Sequence, residues 1–244
     1  MAAGRNAIRL NTLFRIMSAT SGIWLLAPLL AGACQPSAVP AVAAAPVNTA
    51  ELPIGPAAAA ESLLVDVRSL DSTIQVDARY AGSNNFTGAP LPGYEAPRAL
   101  LRREAAQALV RVQARLRTSG LGLLVFDGYR PVRATLAMVK WAERTGRRDL
   151  LEEGYIARRS RHNLGLAVDL TLVDLIGGAR LDMGTPYDTF TDAAHTANAS
   201  GLPLRHRRIL VRAMESEGFR NYEKEWWHFS YEVPHAVPFD QVIR

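Results

Sequence analysis

The rhythm of apolar and polar positions changes several times along the chain, and each change marks an element. Over residues 97–116 apolar side chains recur at helical spacing (Leu100, Leu101, Ala105, Leu109, Val112, Leu116), and Gly120 follows as a stop. This predicts a helix over 97–116. Residues 121–126 form a short, nearly continuous apolar run, the pattern of a buried strand. Pro131 stands where proline favours a first helical turn and opens a second helix through about residue 144. Residues 167–172 read as a strand, 204–217 as a third helix closed by Gly218, and 227–233 as the last strand. Before these, 62–76 alternates over short stretches (Leu64, Val65, Val67, then Ile74, Val76) and predicts a strand or two. The stretch 80–94 is rich in Gly, Pro and Asn and reads as a long ordered loop. Helices and strands mix without a regular strand–helix–strand repeat. The class expected is α+β, with helices packed on a mainly antiparallel sheet.

The front of the chain follows a different pattern. Arg5, Arg9 and Arg15 precede an uncharged apolar stretch over 16–33, the layout of a secretory signal. Ser18, Thr20, Ser21 and Gly22 interrupt that stretch, and it is short against the ~20 residues of a membrane span, so a retained transmembrane helix is the weaker reading. It ends in Leu30-Ala31-Gly32-Ala33-Cys34, which resembles a bacterial lipoprotein signal, although Leu30 lies four residues before Cys34 where three is commoner. Cys34 is the only cysteine, so no intramolecular disulfide can form. The expectation is a signal peptide at 1–33 and an exported, periplasmic protein anchored by lipid on Cys34, with no other membrane contact. Simple cleavage to a soluble exported protein is the alternative. Residues 34–61 are mostly Ala, Pro, Val and Ser and read as a flexible tether, leaving 62–244 as a single domain. The formal charge of +5 counts 28 basic against 23 acidic residues. Three of the basic residues are in the leader, so the remainder carries 25 against 23, or +2. With no basic stripe and no interleaved aromatics, nucleic acid is not an expected partner.

Two segments carry chemistry. Residues 160–169 hold His162 and Asp169, with Gly165 and Ala167 between them to permit a tight turn into a strand. Glu225-Trp226-Trp227-His228 lies near the end. Two imidazoles and a carboxylate, with a fourth position left for water, make the ligand count of a catalytic zinc site. Glu225 is better placed as a proton acceptor for water than as a fourth ligand, which would fill the position water needs. Glu225 and His228 are three apart, a spacing that puts them on opposite faces of a regular strand. A turn or bulge must bring Glu225 round, or it lies just before the strand begins. The two tryptophans read as framework. Arg130, in Asp127-Gly128-Tyr129-Arg130-Pro131, would project from a strand end; spacing alone does not choose between an oxyanion-binding role and a surface ion pair. His195, His206 and His235 read as structural.

Tyr80-Ala81 with Asn85-Phe86-Thr87-Gly88, the Asp127–Pro131 segment, Ser160-x-His162-x-x-Gly165-x-Ala167-x-Asp169, Leu181-Asp182-Met183-Gly184-Thr185 and Glu225-Trp226-Trp227-His228 occur in that order. This resembles the zinc D-alanyl-D-alanine dipeptidase family (VanX-like) over about residues 71–231. The resemblance implies that His162, Asp169 and His228 hold one Zn2+ and that Glu225 is the general base. It also implies that Arg130 stabilises the tetrahedral oxyanion. Tyr80, Ser160 and an acid between Asp182 and Asp188, with Asp188 favoured, would line the substrate pocket, the acid meeting the ammonium of the dipeptide. The activity implied is hydrolysis of D-Ala-D-Ala in cell-wall precursor or turnover metabolism. Two readings stay open beside it: a D,D-carboxypeptidase or endopeptidase acting on peptidoglycan stem peptides, and a non-catalytic zinc-containing cell-wall binding module.

Overall fold

The computed structural model describes residues 54–244. The leader, Cys34 and the tether up to residue 53 lie outside the described residues. Among the described residues no helix is long and apolar enough to cross a membrane. Helix α1 (Ala57–Leu63) begins inside the stretch assigned to the tether. Ala60 is fully buried there, and Gly55 N–H donates to the Pro238 carbonyl at 2.8 Å, so the folded part starts some residues before 62.

After α1 come β1 (Leu64–Asp66), the single turn α2 (Val67–Leu70) and β2 (Gln75–Val76). The helix expected over 97–116 begins later. Residues Leu100–Arg102 form β3, antiparallel to β1 with Leu101 opposite Val65, and only then does α3 (Arg103–Arg117) start. Pairing wins over helical spacing here because it buries Leu101 completely and lets Arg102 N–H donate to the Gly165 carbonyl at 2.8 Å. Further along are β4 (Leu121–Asp127), α4 (Val132–Arg144), the short α5 (Asp149–Glu152) and β5 (Ala167–Asp174). The chain ends with α6 (Gly201–Glu215), β6 (Arg220–Tyr222), β7 (Glu225–Ser230) and an extended tail. The last strand therefore starts at Glu225 and stops at Ser230 rather than spanning 227–233.

The main sheet has the order β2-β4-β5-β7-β6; only the β2–β4 pair is parallel. The fold is α+β on a mainly antiparallel sheet, as expected. Strand β5 is its middle member and is buried through residue 173, with Asp169 and Thr171 the two polar side chains inside that buried stretch. Helix α3 contributes Ala105, Leu109, Val112 and Leu116 to the core, each worth on the order of 1–3 kcal/mol for the larger side chains.

Two irregularities flank β5 at its N-terminal end, and both matter for the site. On β4, Val125 pairs with Leu170 and Asp127 with Asp169, so Phe126 is an extra residue. On β7, Phe229 pairs with Asn221 but Glu225 pairs with Tyr222, so Trp226, Trp227 and His228 have no partner on β6. Bulges of this kind bend a strand and redirect its side chains.

Candidate metal centre and active site

The sheet register places three residues in one row: Asp127 on β4 stands opposite Asp169 on β5, which stands opposite His228 on β7. Residues directly opposite one another project to the same face. His162 joins the row from a 3-10 turn (Arg161–Leu164) just before β5. That turn is fixed by a capping box: Ser160 Oγ accepts from His162 N–H, and Asn163 Oδ1 accepts from Ser160 N–H at 2.9 Å. Gly165 closes it at φ 68°, in the left-handed region, and a Cβ there would meet Leu64 Cδ2 at 2.5 Å.

His162 Nε2, Asp169 Oδ1 and His228 Nδ1 form a triangle with sides of 3.3, 2.9 and 3.2 Å. Ligands on a tetrahedral zinc with bonds of about 2.0–2.1 Å stand about 3.3–3.4 Å apart, so the three atoms need only a small spread to hold one such ion. The surrounding bonds suit ligation. His162 Nδ1 lies 2.6 Å from the Gly128 carbonyl, so the ring N–H donates there and the Nε2 lone pair is directed into the triangle. The Tyr187 hydroxyl donates to Asp169 Oδ2 at 2.9 Å and fixes the orientation of that carboxylate. Burial alone would raise the Asp169 pKa, yet the His162 and His228 imidazoles hold it well below the usual carboxylate range. Burial pushes the His228 pKa down, toward the neutral imidazole a metal needs.

Glu225 lies on the same face as the triangle, its Oε2 3.8 Å from His228 Nδ1. The bulge on β7 is what makes this possible. The alternative that Glu225 precedes the strand is not what occurs. Burial, and after it the Asp169 and Asp188 carboxylates, push the Glu225 pKa well above the ordinary range, making it a stronger base. Arg130 is buried, and Asp127 orients it: Arg130 Nε donates to Asp127 Oδ2 at 2.9 Å. Its second terminal nitrogen is 3.7 Å from Asp169 Oδ2, and the guanidinium lies 5.0 Å from the Tyr80 ring centroid. A surface ion pair is therefore excluded for Arg130.

These groups line a cavity of about 280 Å³ shared with Tyr80, Ser160 and Asp188. The Tyr80 hydroxyl donates to Asp188 at 3.1 Å and stands 3.0 Å from the Tyr187 hydroxyl. Asp188 adopts φ 59°, a left-handed conformation that costs a non-glycine residue of order 1 kcal/mol, and this turns its carboxylate toward the cavity. Asp182 is exposed and spends a carboxylate oxygen on the Gly184 N–H. Both tryptophans are buried framework; Trp226 Nε1 donates to Thr185 and Trp227 forms part of the cavity wall. His195 Nε2 contacts the Tyr155 hydroxyl and His206 Nδ1 the Asp182 carbonyl; neither belongs to the ligand triangle.

Sequence patterns missed three contributors. Asp127 was visible only as a neighbour of Arg130, and Tyr187 only as a neighbour of Asp188. Tyr94, whose hydroxyl donates to Asp127 at 2.6 Å, had no local signal because it acts across 33 residues.

A buried His–Asp–His centre beside a buried glutamate and a fixed cation around one small cavity is the donor set of a zinc peptidase. Residues 60–242 match the model of the peptidase M15 family, described as D-ala-D-ala dipeptidase. The D-alanyl-D-alanine dipeptidase of Streptomyces coelicolor is 38% identical over 186 residues, covering 69% of this chain and 92% of the relative. That of Enterococcus faecium is 37% identical over 172 residues (64% and 85%), and that of Escherichia coli K12 is 32% identical over 178 (72% and 87%). The chain belongs to the peptidase M15 family and is a metallopeptidase.

Proposed function

We propose that the domain hydrolyses the free dipeptide D-Ala-D-Ala with one zinc ion held by His162, Asp169 and His228. The observation that carries the substrate reading is Asp188 on the wall of a cavity of only about 280 Å³. That volume is at the lower edge of small-molecule sites. A free ammonium, which D-Ala-D-Ala has and an internal residue of a stem peptide lacks, is the natural partner for a carboxylate withdrawn from water there. Burial first, and then the Asp169 carboxylate, raise the Asp188 pKa, and an incoming ammonium reverses that penalty. Ser160 lines the same cavity from the other segment, its hydroxyl holding the His162 turn.

Zinc bound at the triangle supplies Lewis acidity, which acidifies water and polarises the scissile carbonyl. Glu225 takes the proton from the attacking water and returns it to the leaving amine. Arg130, charged at any working pH and fixed by Asp127, meets the negative charge developing on the carbonyl oxygen. Tyr80 keeps Asp188 in place, and burial keeps the Tyr80 hydroxyl protonated as a donor.

The test compares wild type, Glu225→Gln and Arg130→Ala, all zinc-loaded, on D-Ala-D-Ala and on a stem pentapeptide ending in D-Ala-D-Ala. Wild type should cleave the dipeptide and spare the pentapeptide. Glu225→Gln should keep stoichiometric zinc and lose at least 10²-fold in kcat. Arg130→Ala should depress kcat more than it raises KM. Preferential cleavage of the pentapeptide supports the carboxypeptidase reading, and near-normal turnover by Glu225→Gln removes Glu225 as base.

The leader supports a further reading, that the enzyme is exported and tethered by a lipid on Cys34, where it would meet dipeptide released by wall turnover. Incorporation of labelled palmitate into the wild type and not into Cys34→Ser is the expected result. An unlabelled wild-type chain in the cytoplasmic fraction refutes it.

A further inference from the structure

The spacing of Glu225 and His228 poses a geometric problem whose solution lies outside the cavity. On a regular strand these two side chains point to opposite faces. They share a face because β7 bulges by three residues between its Phe229–Asn221 and Glu225–Tyr222 pairs. A bulge leaves backbone groups without ladder partners, and such groups must be satisfied elsewhere. One side chain does this at both ends. Asn221 Nδ2 donates to the Glu225 carbonyl at 3.1 Å and to the His228 carbonyl at 3.0 Å. The amide NH2 carries two donors on one nitrogen, which lets a single short side chain serve both carbonyls.

Asn221 is itself anchored. Its Oδ1 accepts from Thr196 Oγ1 at 2.6 Å, and Thr196 N–H donates to the Glu223 carbonyl at 2.8 Å, so Thr196 grips the β6–β7 turn twice. The loop carrying Thr196 is tied to α6 by the buried Arg207, which donates to the carbonyls of His195 at 2.7 Å and Ala193 at 3.0 Å. A continuous set of bonds thus runs from the helix through the loop to the bulge.

We propose that Asn221 is a positioning residue for the reaction, holding the β7 bulge in the shape that brings Glu225 and His228 to one face. It touches neither substrate nor metal and acts through the backbone of the two residues that do. The inference rests on reading Glu225 as the base.

The test uses Asn221→Asp, which keeps the shape and removes both donors, and Thr196→Val, which removes only the anchor. Leu116→Ala, a core truncation on α3, controls for stability loss. Each is assayed on D-Ala-D-Ala at saturating zinc, and each is also substituted with Co2+, whose absorption spectrum reports the arrangement of His228 with the other ligands. Asn221→Asp should lower kcat by about 10- to 100-fold, the cost of misplacing a reacting group by about 1 Å, with KM within threefold. Its cobalt spectrum should change. Thr196→Val should move both readouts in the same direction by less, and decides the matter if Asn221→Asp does not fold. Leu116→Ala should lose melting temperature while keeping kcat and the cobalt spectrum. A wild-type kcat and spectrum in Asn221→Asp, or the same losses in Leu116→Ala, overturns the proposal. If wild type fails to cleave the dipeptide, the reading of the reaction fails, and the cobalt spectra still decide whether Asn221 holds His228 in place.

Discussion

Replacing Gly165 by alanine tests how tightly the His162 turn is locked against its surroundings. Two separate effects add at this position. Gly165 has φ 68°, and an L residue in that region costs about 1–2 kcal/mol. A new Cβ would also stand 2.5 Å from Leu64 Cδ2 and 3.1 Å from the backbone nitrogen of Arg102. The leucine methyl can shift; the Arg102 nitrogen cannot, because it donates to Gly165's own carbonyl at 2.8 Å. Forcing an extra methyl into a packed site costs typically 1–3 kcal/mol. The sum is about 2–5 kcal/mol. Gly120 supplies the control, since its φ is +72° but a Cβ there would meet nothing within 4 Å. Gly120→Ala therefore bears the conformational cost alone. For a domain of this size 1 kcal/mol shifts Tm by about 2–4 °C. Scanning calorimetry of the two variants should place Gly165→Ala below Gly120→Ala by roughly 2–12 °C. Equal melting temperatures within about 1 °C would show that the turn yields to the methyl and would refute the packing argument.

Two further outcomes are expected. Tyr187→Phe removes the hydrogen bond to Asp169 Oδ2 without changing shape, so zinc affinity measured against a competing chelator should fall about 10- to 100-fold; an unchanged affinity refutes the orienting role. Glu217, whose hydrogen bonds to Arg115 and then Arg111 hold its pKa below the usual glutamate value, ties α6's end to α3. A lowered pKa in the folded state adds stability above the unfolded pKa and loses it as pH falls through the folded one. The gap between wild type and Glu217→Gln should thus be no more than about 1 kcal/mol at pH 7 and should close below about pH 4. A gap that persists at pH 2 contradicts the ionic origin.

What the sequence reveals about this fold divides by the range over which each cause acts. Strand β4 is legible because burial on both faces writes itself into the nearly continuous apolar run 121–126, and α4 because Pro131 marks its start. The ligand triangle is legible because His162, Asp169 and His228 lie in two short segments of unusual chemistry. Leu100–Arg102 misleads, since its apolar spacing continues the helical stripe and only β1, some 35 residues earlier, turns it into a strand. The position of Glu225 was legible as a problem but not as a solution. Period-two alternation says that a bulge or break is needed, while the three residues without a β6 partner and the amide that bridges the bulge appear only in the folded chain. Asp127 and Tyr187 escape for a similar reason. Their roles depend on a cross-strand neighbour or a loop brought in by packing, and neither leaves a local signature.

The row Asp127–Asp169–His228 has a consequence for how active molecules arise. Because these residues are cross-strand neighbours, shifting β4 or β7 by one residue along β5 would swing the row's members to opposite sides of the sheet. Correct strand alignment and assembly of the catalytic groups are then a single event. A refolding experiment should find no population with native secondary structure and a miswired site. Specific activity per folded molecule becomes a constant, and recovered hydrolysis counts correctly folded chains.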